Sequence, residues 1–560
     1  MPPDIPAAKR AGLPVDLDRL TAEGDDWLSP EERYALKMHG VCAQAQPGVF
    51  MIRIRTGGWV EANAARGLAV LAEEFAGGWV HLTTRQQVQL HHVEARSVTT
   101  VLRRVRELGL TTRSTCGHTM RGVMSCPDAG VGLEEPFDCN PDARAVASSI
   151  LARTPDLDTK MPQRINIAFG GCADCRDHAK LNDLAFVSVV APDGELGYEL
   201  WMGGSLGKTN PTFGFKALDF VPRRHVLAAA NALFDVFVEH ADFDDPRKGR
   251  LKFFVRKVGE TRLLELFLEA YARERQERWP EPQHVSTPLS SSIATILASA
   301  PEGGWGSGVR PQRVPGYAMV TVHVPLGDVD ADDVRVLADI ADDLGDERLY
   351  VTKNQNVMFR HVRIEEVPTL RDMIRSLGLG LEGADQAGDV RACTGGPVCS
   401  LALTPAQRLG GELFGNPALL RNSGLRVHIS GCPNSCAQHQ IADVGFSGGK
   451  VTIAGSTMLG YHVWLGGDLR TSRMAQIVGR VSGSDVPAIL NAVAGVWEAL
   501  RERGETLSDT VARYGVEAFQ AQIAAVFRGR WEPGPEPTIN LGTPGRLAEP
   551  DHRLPMVVGA

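Results

Sequence analysis

Two stretches of this chain repeat each other in the same order, and a duplicated chain must fold as two related halves. The first copy opens Gly48-Val-Phe-Met-Ile-Arg-Ile-Arg55 and closes Leu82-Thr-Thr-Arg-Gln-Gln-Val-Gln-Leu-His-His-Val93. The second opens Gly316-Tyr-Ala-Met-Val-Thr-Val-His323 and closes Val351-Thr-Lys-Asn-Gln-Asn-Val-Met-Phe-Arg-His-Val362. From Gly48 to Val93 is 45 residues, and from Gly316 to Val362 is 46. Each copy begins and ends on alternating, strand-like residues, with a helix-like stretch such as 62–75 between them. Strand, helix, strand at this length is half of a ferredoxin-like unit, so the two copies can pair. A second repeat follows each first one. Arg164-Ile-Asn-Ile-Ala-Phe-Gly-Gly-Cys-Ala-Asp-Cys175 parallels Arg426-Val-His-Ile-Ser-Gly-Cys-Pro-Asn-Ser-Cys436, and Asn182–Phe186 parallels Ala442–Phe446. The order A-B-A-B predicts a duplicated α+β fold with its site between pseudo-twofold halves.

Four cysteines carry the chemistry. Cys393-Thr-Gly-Gly-Pro-Val-Cys399 is followed after 32 residues by Cys432-Pro-Asn-Ser-Cys436. Four thiolates complete a [4Fe–4S] site. Zinc pairs usually use gaps of two to four residues, and the gap after Cys393 is longer. Gly395, Gly396 and Gly431 suit a backbone closing around an inorganic core, and Pro433 and Asn434 suit a tight turn.

Composition narrows the class. At 560 residues the chain exceeds one core and divides into domains. No apolar run approaches the ~18 residues that span a bilayer, and the N-terminus lacks a signal pattern, so a cytoplasmic protein is expected. Ten cysteines in this length do not make a disulfide scaffold. A net charge of −8 argues against nucleic acid.

The string His428–Cys436, preceded by Ala392–Cys399, resembles the cluster signature of the sirohaem-containing nitrite and sulfite reductases, and the resemblance spans about residues 35 to 530. It implies a sirohaem beside the [4Fe–4S] cluster, with Cys393, Cys399, Cys432 and Cys436 as ligands and Cys436 bridging the two. The expected organisation follows. Residues 1–35 form an extension, 36–110 and 311–380 the ferredoxin-like half domains, and 286–310 a linker. Residues 111–285 form the sirohaem-fold domain on the substrate side, 381–532 its partner on the cluster side, and 533–560 a tail. The first fifteen residues and those beyond 533 are expected to be loosely ordered.

A polycarboxylate cofactor and an oxyanion substrate both require fixed cations. By resemblance, Arg55, Arg121, Arg164 and Asn166 match substrate-facing positions, with Arg53 close in the motif. Arg85, Gln87 and Gln89 match positions that hold sirohaem carboxylates; Arg85 is read on an alternating strand. Arg164 stands where the family has lysine, which leaves proton delivery to ordered water. Asn166 in place of a second lysine resembles the nitrite-type pattern. Nitrite or sulfite is the expected substrate, with a lean to nitrite, reduced by six electrons in an assimilatory reaction.

No dinucleotide-binding glycine motif follows a strand, so electrons come from outside. The family's single-chain members use ferredoxin, and Arg247-Lys-Gly-Arg250 with Lys252, Arg256 and Lys257 offers a basic surface to steer it. A monomer is expected. Cys126, Cys172 and Cys175 suggest a second metal site, with Cys116 and Cys139 as candidates for a fourth ligand, but read as a relic of duplication. His91, His92 and His361 end strands and are assigned no chemistry. Two rivals remain: a precorrin-3B synthase-like tetrapyrrole oxygenase, and a non-catalytic iron–sulfur electron carrier.

Overall fold

The structure is a computed structural model that describes residues 2–277, 279, 292–301, 304–386, 388–422, 424–526 and 531–533. The first repeat forms two five-stranded antiparallel sheets. In strand Val49–Ile54 every second residue (Phe50, Ile52, Ile54) is buried, as one-sided packing demands. It pairs with Val88–Glu94, and its counterpart Tyr317–Val322 pairs with Val357–Arg363. Both pairings carry a bulge at the equivalent place, between Phe50 and Ile52 and between Ala318 and Val320. Opposite it, His92 and His361 both take left-handed backbone, φ 61° and 56°. Those histidines are the bulge residues of the duplicated unit.

Each half lends a strand to the other. Trp59–Glu61 joins the second sheet beside Arg348–Val351, and Asp328–Asp330 joins the first beside Trp79–Leu82. Helices Ala62–Phe75 and Ala331–Leu344 pack through small faces, Ala65, Leu68, Ala69 and Ala72 against Leu337, Ala338 and Ala341, inside one shared core. The ion pairs flanking them, Arg66 with Asp339 and Asp342 and Arg335 with Glu73, are exposed and add little.

The second repeat forms two mixed sheets. Ile167–Gly170 runs parallel to Leu184–Val190, followed antiparallel by Leu196–Met202 and Phe215–Pro222. Val427–Ser430 runs parallel to both Arg391–Ala392 and Val444–Ile453, and the sheet continues through Ser456–Leu465 and Gln476–Ser482. Helices Val226–His240 and Glu260–Glu274 share a core with the first sheet, and Val486–Leu500 and Val516–Val526 with the second. The register moves the sequence alignment by two residues. Ile167 pairs with Leu184 and Val427 with Val444, so Asn166, not Arg164, is the counterpart of Arg426. Both backbone N–H groups donate to the same aspartate of the motif, Asn166 to Asp183 (2.8 Å) and Arg426 to Asp443 (3.0 Å).

Three local expectations are corrected. The N-terminus is ordered: Ile5–Arg10 is a helix capped by Asp4, and Ala8 and Lys9 are buried. The stretch 83–87 is a turn, not a strand, because Thr83 Oγ1 accepts from the N–H groups of Arg85 (3.3 Å) and Gln87 (3.0 Å) while Gln86 takes φ 55°. The expected linker contains a helix, Ile293–Ala298, capped by Ser292, and the start of strand Val309–Pro311. The expected loose tail lies outside the described residues. Among the described residues, no helix is long and apolar enough to cross a membrane.

Candidate functional site

The candidate cluster cysteines sit where two parallel strands end. Cys393 leaves strand Arg391–Ala392 and its N–H donates to Ile429 O (3.1 Å). Gly431, at the end of Val427–Ser430, donates its N–H to Cys393 Sγ (3.2 Å) and presents Cys432 beside it. A side chain at Gly431 would lie 2.7 Å from Thr404 O and 2.9 Å from Gly395 Cα, so glycine alone lets the loops close here. Ser435 (φ 62°) and Gln438 (φ 63°) turn the chain so that Cys436 returns toward the other three. Burial and the neighbouring thiols raise the Cys393 thiol and push Cys432 up to about 12. Such thiols stay neutral until a bound metal draws off their protons. Cys432 is buried, Cys393 and Cys399 are half-buried, and Cys436 is exposed. Thr84 Oγ1 donates to Cys436 O (2.8 Å), which ties the cluster loop to the first half.

Opposite Cys436 the first half gathers cations. Arg53, half-buried, feels Cys436 and Cys399 together with Cys42 and Cys116. Gln89, its amide oxygen turned to Arg53, accepts from Nη2 (2.7 Å) and Nε (3.0 Å), and its NH2 donates to His91 Nε2 (2.9 Å). Gln89 therefore orients Arg53 and has its amide engaged. Arg121 donates to the carbonyls of Thr115 and Gly117, the latter at 2.9 Å, and its buried Nε has no partner. Arg85 donates to Asn182 Oδ1 and Gly122 O, both at 2.9 Å, and its Nε is likewise orphaned. Gln87 Nε2, packed over Gly122, is a third buried donor without an acceptor. Burial, then the nearby Arg121, pushes Arg85 down to about 9. Arg164 is lowered well below the usual range by Arg250, then by burial and Arg121.

Arg55 is placed differently from its neighbours. Its Nε donates to Arg113 O (2.8 Å) and its Nη2 to Ser114 O (2.9 Å) and to Met120 O. These bonds clamp the loop that carries Arg121, and burial lowers Arg55 to about 10. Arg250 and Lys252, expected on the surface, are 5% and 4% exposed. Arg250 donates to both oxygens of Asp183 (3.2 and 3.1 Å), and Lys252 Nζ to Thr209 O (2.6 Å). Burial, then Arg250, lowers Lys252 to about 8. Arg247 remains on the surface, 91% exposed. The sequence signal missed here is the helix Leu251–Val258, whose start turns Arg250 and Lys252 inward.

Together the fold and the site define an iron–sulfur oxidoreductase whose cluster loop faces a group of half-buried guanidiniums. The family model described as "Nitrite and sulphite reductase 4Fe-4S domain" matches residues 116–275 and 416–529, and "Nitrite/Sulfite reductase ferredoxin-like half domain" matches 43–108 and 310–377. The chain belongs to the nitrite and sulphite reductase family. Relatives include the ferredoxin–nitrite reductase of Synechococcus elongatus, 29% identical over 82% of this chain and 88% of the relative. A ferredoxin-dependent sulfite reductase of Mycolicibacterium paratuberculosis is 29% identical over 75% and 74% of the two chains. The solved structure of Mycobacterium tuberculosis NirA matches with TM-score 0.78 and 25% identity, over 93% of this chain and 98% of that one.

The cofactors are a sirohaem and a [4Fe–4S] cluster, and the residues present fit them. Four cysteines converge for the cluster, and the orphaned donors Arg85 Nε, Gln87 Nε2 and Arg121 Nε suit a macrocycle rimmed with carboxylates.

Proposed function

We propose that this protein is an assimilatory, ferredoxin-dependent reductase that takes nitrite to ammonia, with sulfite the alternative substrate. When bound, the sirohaem supplies the iron that receives the anion, and the cluster supplies electrons one at a time. Cys393, Cys399, Cys432 and Cys436 hold the cluster. Arg53, Arg121, Arg164 and Asn166 face the substrate. Arg85 and Gln87, with Arg250 behind them, receive cofactor carboxylates. Gln89 acts by orienting Arg53, and Arg55 by holding the loop of Arg121.

The observation that carries this reading is Arg164. Its guanidinium makes no hydrogen bond among the described residues, yet it sits against Arg250 and Arg121. Arg164 and Arg121 are half-buried and Arg250 is paired with Asp183, so the group keeps a net positive charge that an anion would complete. Oxyanion charge that grows as N–O bonds break would be stabilised there without reorganisation. Lys252 offers what Arg164 lost, an ammonium with a pKa of about 8 near the chamber. That makes it a proton reservoir in addition to the ordered water expected from the sequence.

The relatives' names support both anions and a ferredoxin donor. Asn166 favours nitrite, because sulfite carries more negative charge near neutral pH and the site has one cation fewer. No observation favours the oxygenase or the electron carrier. Steady-state reduction of each anion by the purified protein with reduced methyl viologen tests the reading. A larger specificity constant for nitrite is expected; a larger one for sulfite reverses the assignment, and turnover of neither removes it.

A further inference from the structure

The first half holds a thiol group that the reaction does not use. Cys126, Cys172 and Cys175 are buried, and their sulfurs all lie within 4.8 Å of one another. The Cys126 and Cys172 sulfurs are hydrogen-bonded at 3.5 Å and form no disulfide. The strand register shows where this group came from. Met124 bridges Ala168 as Arg391 bridges His428, so Cys126 stands where Cys393 does and Cys172 where Cys432 does. An N–H···S bond reaches the first cysteine in both halves, from Cys172 N to Cys126 Sγ (3.4 Å) here and, one position earlier in the register, from Gly431 N to Cys393 Sγ there.

Two changes alter what such a site can hold. Cys175 follows Cys172 one residue sooner than Cys436 follows Cys432, which tightens the group. Six residues after Cys126, where the other half has Cys399, stands Gly132. Its N–H binds Glu135 Oε1 (3.1 Å). The other oxygen, Glu135 Oε2, belongs to a residue 2% exposed and has no partner. A methyl group on Gly171 would lie 3.3 Å from that oxygen and 3.4 Å from Cys126 Sγ, which places the carboxylate next to the sulfur group but outside the set of ligand atoms that stand within 4.8 Å of one another. A cubane spreads its thiolates over different irons, whereas a single zinc ion with bonds of about 2.3 Å sets its sulfurs about 3.8 Å apart. The observed spacing matches the second.

We propose that Cys126, Cys172 and Cys175 bind one zinc ion in a structural, four-coordinate site, with Glu135 moving in from beside the sulfurs to take the fourth position, a descendant of the duplicated cluster site and not an empty relic of it. Binding displaces the thiol protons to solvent and involves no electron transfer. Lys353, which lines the same small cavity as Cys175, and Arg310 lie near the ligand set, each already paired with a carboxylate, Asp174 and Asp128 respectively.

The test uses the full-length holoenzyme, isolated anaerobically and dialysed against a chelator before iron and zinc are counted in one sample. About one zinc per chain is expected, with absorption at the zinc edge giving three sulfur neighbours at about 2.3 Å and one oxygen at 2.0–2.2 Å. C172S should lose the zinc and keep cluster iron and tetrapyrrole absorption; C432S should lose cluster iron and keep the zinc. Wild-type protein free of zinc with three titratable thiols, a Cys126–Cys172 disulfide, or a second cubane's worth of iron would each overturn the proposal. The wild-type measurement decides even if a variant does not fold.

Discussion

Arg164 and Asn166 show how single side chains set what the chamber accepts. Arg164→Ala should lower kcat/KM by roughly 100-fold, the scale of losing one charge-stabilising donor, while cofactor absorption persists; unchanged turnover places it outside the site. Asn166→Lys restores a cation and should raise kcat/KM for sulfite relative to nitrite by about tenfold, read from paired assays of both anions. Lys252, lowered to about 8, is protonated at neutral pH and loses its proton as pH rises through that value. Turnover should fall over the same range, and Lys252→Met should flatten that limb of the profile. Much of this was readable from residue type and spacing. The role of Arg55 was not, because a strand face tells where a guanidinium starts and not which carbonyls it reaches. Arg250 and Lys252 looked like surface charges because nothing in a run of basic residues reports burial.

At the scale of elements, the duplication was legible because alternation and spacing survive in both copies. The exchange of strands Trp59–Glu61 and Asp328–Asp330 between sheets was not, since three-residue strands carry no periodicity. The turn at 83–87 escaped for a different reason: Thr83-Thr-Arg-Gln-Gln87 is polar throughout and carries no period, and the Thr83 bonds and left-handed Gln86 that make the turn are visible only in the structure. The N-terminal helix also serves the site. Lys9 Nζ donates to His118 O (3.1 Å) and to Asp158 O, bracing the loop of Arg121. Burial lowers Lys9 to about 8, with the Asp158 charge opposing. An unfolded lysine keeps its proton to about 10.4, so between those values the unfolded chain binds more protons and stability rises with pH. The melting temperature of wild type minus that of Lys9→Met should therefore be flat below pH 8 and grow above it. A gap that narrows with pH would contradict the burial of a lysine charge.

For the whole molecule, duplication explains why the two halves differ in chemistry while sharing a fold. One half carries the four cysteines, and Thr321 and Met358 stand there where Arg53 and Gln89 pair in the other. That other half kept the guanidiniums and one cysteine too few for a cubane. Neither half makes the site alone, and Thr84 to Cys436 is one of the bonds that join them. Extraction of the tetrapyrrole from anaerobically isolated protein, with iron counted in the same sample, tests this arrangement most directly. One sirohaem for each cubane is the predicted ratio. Iron enough for the cubane with no tetrapyrrole to extract would contradict a carboxylate-filled chamber beside Cys436.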